Sequence, residues 1–259
     1  MSTNPFDDDY QAPAPAKEPT GHITIYREME QRSEEWYRVR LGVLTASVMK
    51  HFLTVKTLKA STAEKAKAQL WELAAQRVTN YVEPSYDGGK VARGYEAEVD
   101  ACILYEKTFG RPVENCGFVT NSRYGFLLGY SPDSLVGDDG QLEAKSRDQR
   151  FQFELITQHF PHGTIPDEFV LQAQTGLLVT ERKWLDFCSH SNGMNMVVIR
   201  VFPDPTVQAA IIQTAKLVDE QISELVADYY KLLPDDHIIP VERKVYEYER
   251  DDDIIASGD

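Results

Sequence analysis

Residues 126–146 of this chain read FLLGYSPDSLVGDDGQLEAKS. The apolar run from Phe126 to Tyr130 and the alternating run from Gln141 to Ser146 both predict strands, with a polar turn before the second. Upstream, Cys116 to Asn121 has the same character. We therefore expect three consecutive strands that form a meander.

Glu143 and Lys145 stand two residues apart on the last of these strands, so their side chains project side by side from one face. If the preceding strand runs antiparallel beside it, Asp133 at the strand end lies within reach of Glu143. Hard divalent cations such as Mg²⁺ take oxygen ligands of this kind, and the Ala144 carbonyl is a further candidate. A bound ion would acidify a water for attack on a phosphodiester. Lys145 would hold or deprotonate that water, because a metal and low-dielectric walls lower the pKa of an amine. The alternative is an ordinary surface hairpin with its charges in solvent.

The formal net charge of −14 opposes binding to nucleic acid, which depends on Lys and Arg. However, residues 1–20 contribute −3 and residues 234–259 contribute −6, so only −5 remains for the rest of the chain. The segment from Arg32 to Lys67 contains eight Lys or Arg residues and three acidic residues. This local excess of positive charge suits binding to a polyanion. A solvated basic surface is the alternative interpretation.

The length of 259 residues suits one large domain. We expect a disordered arm over residues 1–20, one folded domain over residues 21–233 and an acidic tail over residues 234–259. The sequence has neither a membrane-length apolar run nor a signal-peptide pattern, so a soluble protein is expected. Three cysteines without zinc-ligand spacing fit buried thiols in a reducing cytoplasm, and they are Cys102, Cys116 and Cys188.

Helical periodicity covers much of the remaining chain. Helices are predicted over residues 33–42, 47–52, 61–80, 93–108 and 206–233, with caps at Ser33, at Thr45 or Ser47, and at Ser61 with Glu64. Trp184 to His190 and Asn195 to Phe202 predict a hairpin with Asn192 and Gly193 in its turn.

One carboxylate lies on an apolar helix face. In the helix predicted over residues 93–108, Glu98 shares a stripe with Ala101, Cys102 and Tyr105. Because burying an uncompensated carboxylate is costly, such a residue needs an ion pair, a metal or a raised pKa. Glu98 is therefore a candidate site residue, and a salt bridge to a residue such as Arg93 is the alternative.

Five short motifs follow one another along the chain. They are EWYRVRLGVLTAS at residues 35–47, Gly94 with Glu98 and Ala101, SPDSL at residues 131–135, LEAK at residues 142–145, and QAQ at residues 172–174 before Val179 and Thr180. In this order they resemble the lambda exonuclease and YqaJ-type viral recombinase family of the PD-(D/E)xK nuclease superfamily, over residues 30–202. The resemblance implies an α/β fold with a restriction-endonuclease-like core, in which a central mixed β-sheet is flanked by helices.

The resemblance also implies a catalytic centre. Asp133 and Glu143 match the metal-binding acids, and Glu98 matches a helix glutamate near the metal. Lys145 matches the catalytic lysine. Gln172 matches a glutamine on the following helix that positions water, phosphate or Lys145.

A second group of residues matches positions that contact the 5′ end of DNA. Arg40 and Ser47 match residues that hold the 5′-phosphate, and Ser131 is expected to add a hydrogen bond there. Trp36 matches an aromatic position near the DNA path, with core packing as the alternative. Ser134 departs from the glycine that is frequent in the family, and this difference bears most on the contact expected of Ser131.

The implied activity is a metal-dependent 5′ to 3′ exonuclease that degrades one strand of linear double-stranded DNA. The 3′ single strand that remains would serve phage-type recombination by strand annealing. The resemblance further implies two Mg²⁺ or Mn²⁺ ions per site, a homotrimeric ring around DNA, a single-strand annealing protein as partner, and expression from a phage or prophage in bacterial cytoplasm, without a membrane.

Two alternatives remain, one near and one distant. One is a RecB-like or CRISPR-associated nuclease of the same superfamily, although these often hold an iron-sulfur cluster with four cysteines, and this chain has three. The other is a non-catalytic DNA-binding protein that retains the fold. Such a protein would be expected to have lost an acid or the lysine.

Overall fold

The computed structural model describes residues 21–83, 90–191 and 193–243. The predicted arm over residues 1–20 and residues 244–259 of the predicted tail lie outside the described residues. Within the described ranges no helix is both long and apolar enough to cross a lipid bilayer.

The described residues form both strands and helices. The strands are β1 (Ile23–Tyr26), β2 (Leu44–Thr45), β3 (Leu53–Thr54), β4 (Lys59–Ala60), β5 (Val113–Glu114), β6 (Phe118–Asn121), β7 (Leu128–Tyr130), β8 (Ser134–Val136), β9 (Gly140–Ser146), β10 (Trp184–Ser191) and β11 (Met194–Val201). The helices are α1 (Glu34–Arg40), α2 (Met49–Phe52), α3 (Glu64–Thr79), α4 (Lys90–Phe109), α5 (Gln149–Glu154), α6 (Asp167–Thr180) and α7 (Pro205–Leu232). Between α5 and α6, Leu155–His159 is a π-helical turn and Phe160–His162 is a 3₁₀ turn.

The strands form two mixed sheets and a small ribbon. One sheet has the order β1-β6-β7-β2, in which β2 and β7 are parallel. The other has the order β11-β10-β9-β8-β5, in which β9 and β10 are parallel. The ribbon joins β3 to β4. The helices contact these sheets, so the predicted mixed α/β fold is confirmed.

The predicted three-stranded meander is wrong. Strand β7 pairs with β6 and β2, whereas β9 pairs with β8 and β10 in the other sheet. The chain changes sheets through Ser131-Pro132-Asp133, where proline has no N–H to offer a strand ladder. Strand β8 was missed because three residues are too few to show a strand period.

The predicted helices exist, but two predicted caps are wrong. Ser33 caps α1 by accepting a hydrogen bond from the Trp36 N–H at 3.2 Å, as expected. Helix α2 begins after Val48 without a side-chain cap, and α3 begins after Ala63 without one. Ser61 instead accepts from the Ala63 N–H at 3.3 Å, because a short serine side chain competes for nearby backbone groups before the helix starts.

Two further predictions concern the second half of the chain. The hairpin of β10 and β11 is confirmed, with Gly193 at φ +80° in its turn, while Asn192 lies outside the described residues. Helix α7 follows it, and residues 234–243 continue as exposed turns and coil. All three cysteines are buried free thiols, as predicted.

Strand β9 places its two faces against different helices. Leu142 and Ala144 are fully buried and pack with Ala101 and Tyr105 of α4. The alternate residues face α6, since the Thr180 hydroxyl donates to the Gln141 side-chain oxygen at 2.7 Å. The predicted alternation of β9 is therefore confirmed, and its polar face lies against α6.

Candidate active site

The loop between the two sheets carries Asp133 to strand β9. Its carboxylate oxygen Oδ2 accepts a hydrogen bond from the Ala144 N–H at 2.6 Å. Ser134 faces Leu142 in the antiparallel β8–β9 ladder, so Asp133 lies next to Glu143 across the two strands. The expected proximity of Asp133 and Glu143 is present, but it is β8 rather than β7 that provides it.

The Glu143 carboxylate is 2% exposed and has three donors. Its Oε1 accepts from Lys145 Nζ and from Gln172 Nε2, both at 2.5 Å. Its Oε2 accepts from the Tyr130 hydroxyl at 2.6 Å. Because buried carboxylates are costly unless they are hydrogen-bonded, these donors stabilise Glu143 inside the fold and fix its orientation.

Tyr130 is a site residue that the sequence analysis missed. It is fully buried, and burial together with the charge of Glu143 raises its pKa well above the ordinary value, so its hydroxyl keeps the proton that it donates. Helix α6 makes room for the ring at Gly176, where a Cβ would lie 2.9 Å from it. A signal was available, because a buried tyrosine hydroxyl normally has a hydrogen-bond partner.

Lys145 lies at the mouth of this cluster, with 19% of its side chain exposed. Burial disfavours its charge, but the charges of Glu143, Asp133 and Glu98 outweigh burial and raise the pKa of the amine. The sequence predicted a lowered pKa for Lys145, and the surrounding carboxylates instead raise it. The carboxylates around Lys145 keep its proton in place.

The acids of this cluster outnumber its amine. Burial, and after it the charge of Glu143, raises the pKa of Asp133 to about 8, although Lys145 acts against the shift. Burial also raises the pKa of Glu98, with Lys145 opposing and Glu143 adding to the shift. Glu98 and Asp133 both line a cavity of about 650 Å³ between residues 27–31 and α4. The side chain of Arg93, the alternative partner, lies outside the described residues.

This donor set fits a hard divalent cation. Carboxylate oxygens that raise one another's pKa are stabilised by a positive ion, and two of these acids open to the cavity. Among the described residues, no group of three or more Asp, Glu, His or Cys side chains already has the arrangement of a metal site. The contact found for Ala144 uses its N–H, not the carbonyl proposed from the sequence.

A second cluster surrounds Arg40. Its Nη1 donates to Ser131 Oγ at 3.0 Å, and its guanidinium stacks over the Trp36 ring at 3.9 Å. Burial lowers the pKa of Arg40 to about 10, and no carboxylate of the described residues forms an ion pair with it. A half-buried cation without a carboxylate partner is well suited to bind an anion such as phosphate.

Ser131 and Trp36 complete this cluster, and Ser47 remains at its border. The Trp36 indole N–H donates to Ser131 Oγ at 2.9 Å and to the Gly117 carbonyl at 3.1 Å. Ser131 Oγ thus accepts from two donors, which leaves its own hydrogen for a ligand. Ser47 is exposed and hydrogen bonds with Thr45 at 3.2 Å, and Thr45 lines the same cleft as Arg40.

Ser134, the departure from the family pattern, does not displace this cluster. It is buried in β8, where its hydroxyl donates to the Asp133 carbonyl at 2.6 Å and its Oγ lies 3.6 Å from Cys102 Sγ. Its side chain therefore faces α4, while Ser131 faces Arg40. The extra hydroxyl finds partners on the side of the sheet away from the Arg40 cluster.

The chain is similar to known nucleases. A family model described as the YqaJ-like viral recombinase domain matches residues 35–183. The alkaline exonuclease LHK-Exo from Laribacter hongkongensis matches with 26% identity and a TM-score of 0.63, over 77% of this chain and 100% of that one. Its complex with dAMP matches with 28% identity at the same TM-score and coverage. No curated protein matches the sequence.

A more distant structure shares the fold. A phage-related exonuclease from Haemophilus somnus 129PT has 11% identity and a TM-score of 0.52, over 72% of this chain and 96% of that one. At this identity the likeness concerns the arrangement of helices and strands.

Proposed function

The chain belongs to the family of YqaJ-like viral recombinase domains, and we propose that it is a metal-dependent exonuclease that degrades double-stranded DNA from its 5′ ends. The family and the likeness to an alkaline exonuclease that binds dAMP support a nuclease. One observation carries the finer proposal. A single loop contributes Ser131 to the Arg40 cluster and Asp133 to the acidic cluster.

The spacing of these two residues suits removal of one nucleotide at a time. Two residues of extended chain span at most roughly 7 Å, a distance on the scale of one nucleotide. With the terminal 5′-phosphate on Arg40 and Ser131, the next phosphodiester would therefore lie beside Asp133 and Glu143. An interior phosphodiester offers no terminal phosphate to Arg40, so the arrangement favours cleavage at 5′ ends.

Asp133, Glu143 and Glu98 are the residues proposed to hold the metal. When bound, Mg²⁺ or Mn²⁺ would acidify a water and neutralise charge on the scissile phosphate, and we propose two ions per site. Lys145, hydrogen-bonded to Glu143, keeps its proton and directs its remaining N–H groups to a phosphate oxygen or the attacking water. Gln172 and Tyr130 hold Glu143 in the orientation that this requires.

The duplex itself is proposed to contact the basic region predicted from the sequence. Exposed lysines surround α2 and the β3–β4 ribbon. Burial, and after it the charges of Lys65 and Lys50, lower the pKa of His51. Lys56 of the ribbon lies 3.6 Å from Asp167, the first residue of the helix that carries Gln172. This lysine-rich surface therefore adjoins the proposed catalytic helix and would bind phosphates.

The wider proposal follows the family resemblance. The product would be a 3′ single strand that an annealing protein uses in phage-type recombination, and a homotrimeric ring around DNA would keep the enzyme on its strand. A non-catalytic DNA-binding role is disfavoured because Glu98, Asp133, Glu143, Lys145 and Gln172 are all present.

End-labelled linear duplexes test the proposal directly. We expect release of 5′ nucleotides in Mg²⁺ and none in EDTA, with a faster rate on 5′-phosphate than on 5′-hydroxyl ends. Lys145→Ala should lower the rate by at least about a hundred-fold. Arg40→Ala should abolish the preference for 5′-phosphate. Lys183→Ala, at an exposed lysine, is the matched control. Activity in EDTA, or full activity of Lys145→Ala, would contradict the mechanism.

A further inference from the structure

We propose that Gln31 is a positioning residue that holds the loop from Ser131 to Asp133, and thereby sets metal affinity and 5′-phosphate recognition together. This inference rests on the proposed function. Gln31 lies before α1 and outside residues 35–183, the part that the family model matches.

The Gln31 side chain ties two separate segments. Its amide nitrogen donates to the Cys116 carbonyl at 2.9 Å and to the Pro132 carbonyl at 2.8 Å. An amide NH₂ has two hydrogens, so both donors are used. The first segment leads into β6, and the second is the centre of the loop that follows β7.

Trp36 also connects the same two segments by hydrogen bonds. Its indole N–H is shared between the Gly117 carbonyl and Ser131 Oγ. Gln31 and Trp36 therefore connect residues 116–117 to residues 131–132 by two neighbouring links. Both side chains reach the loop from the start of α1.

The loop needs such external ties because it has few of its own. It lies between strands of two different sheets, and Pro132 at its centre has no N–H. At its end the Asp133 carboxylate accepts from the Ala144 N–H at 2.6 Å, which holds that end of the loop to β9. The hydrogen bond from Gln31 to the Pro132 carbonyl holds the residue between Ser131 and Asp133.

Loss of this tie has a recognisable consequence. Ser131 and Asp133 flank Pro132, so a shift of that peptide moves both of them. Metal binding and 5′-phosphate recognition should therefore weaken together. A residue that contributed only to overall stability would lower the active fraction and leave both properties unchanged in the molecules that remain folded.

Gln31→Met is the test variant, since it keeps the length of the side chain and removes both donors. Gln213→Met, at an exposed glutamine of α7, is the matched control. Calorimetric titration measures Mn²⁺ binding to the free protein. Binding of short duplexes with and without a 5′-phosphate is compared in EDTA, and kcat and KM are measured in Mg²⁺. Circular dichroism and Tm report folding.

We expect Gln31→Met to bind Mn²⁺ roughly ten-fold more weakly and to lose most of the 5′-phosphate preference, with kcat lowered by a similar factor. KM for DNA should change less than kcat, because the basic duplex contacts are intact. Gln31→Leu also removes both donors at a similar side-chain size. It serves in place of Gln31→Met if that variant does not fold.

Wild-type Mn²⁺ affinity and phosphate preference in folded Gln31→Met would overturn the inference, even if activity falls. If Gln31→Met does not fold, wild-type Mn²⁺ affinity and phosphate preference in folded Gln31→Leu would overturn it. A wild-type protein without Mg²⁺-dependent exonuclease activity would instead contradict the proposed function.

Discussion

Replacing Tyr130 with phenylalanine tests whether Glu143 needs all of its donors. The Tyr130 hydroxyl donates to Glu143 Oε2 at 2.6 Å, and both residues are almost completely buried. A hydrogen bond to a charged group contributes about 1.5–3 kcal/mol, and phenylalanine keeps the ring, so little cavity cost is added. We expect the free energy of unfolding to fall by about 2 kcal/mol. For a domain of this size, this lowers Tm by roughly 4–8 °C.

The loss should be independent of pH across the neutral range. Burial, and then the charge of Glu143, raises the pKa of Tyr130 above its ordinary value of about 10. The phenol is therefore protonated in the folded and the unfolded chain below about pH 9, and the difference between the variants stays constant there. Above about pH 10 the unfolded tyrosine loses its proton first, so the advantage of Tyr130 declines as the pH rises.

Denaturant unfolding at several pH values and single-turnover kinetics measure these effects. Because Lys145 and Gln172 hold only the other oxygen of Glu143, its orientation loosens, and we expect kcat to fall about ten-fold. Tyr124→Phe, at a partly exposed tyrosine, is the control and should cost under about 0.5 kcal/mol. A Tyr130→Phe protein with wild-type Tm and kcat would show that Glu143 does not need this donor.

Three other outcomes follow from the same geometry. Gly176→Ala brings a Cβ to 2.9 Å from the Tyr130 ring, so it should lower the free energy of unfolding by about 1–3 kcal/mol in denaturant titrations. Asp186→Ala leaves Arg200, which is partly exposed, without the carboxylate that it contacts through two hydrogen bonds at 2.7 Å, and it leaves the buried Tyr105 hydroxyl without its acceptor. It should cost about 1–3 kcal/mol, and a loss below about 0.5 kcal/mol would contradict this. Mg²⁺ at about a hundred times its Kd should stabilise the wild type by about 2.7 kcal/mol, seen as a rise in Tm. Asp133→Asn should abolish most of that rise, and an equal rise in both proteins would place the ion elsewhere.

The part of the site that lies on strand β9 was predictable from the sequence. Glu143 and Lys145 share a face of β9 because side chains alternate along any strand, and Leu142 and Ala144 take the buried face for the same reason. Ser33 likewise caps α1 through a contact three residues away. Local periodicity and local hydrogen bonds are properties of the sequence alone.

The neighbours of that strand were not predictable in the same way. β7 was expected beside β9, but the three-residue β8 occupies that place. Tyr130 reaches Glu143 from the other sheet, a relation that no period of the sequence encodes. Gln31 lies 101 residues from the carbonyl that it holds.

Local patterns along the chain therefore establish which groups are available and which of them share a face: two acids and a lysine near one strand, and an arginine and serines in the earlier segment. Only packing in three dimensions lets Ser131 and Asp133 serve two clusters from a single loop, and makes Tyr130, Lys145 and Gln172 converge on Glu143. Buried Glu143 requires hydrogen-bond donors, and the packing of β7 and α6 against β9 determines which donors come within reach.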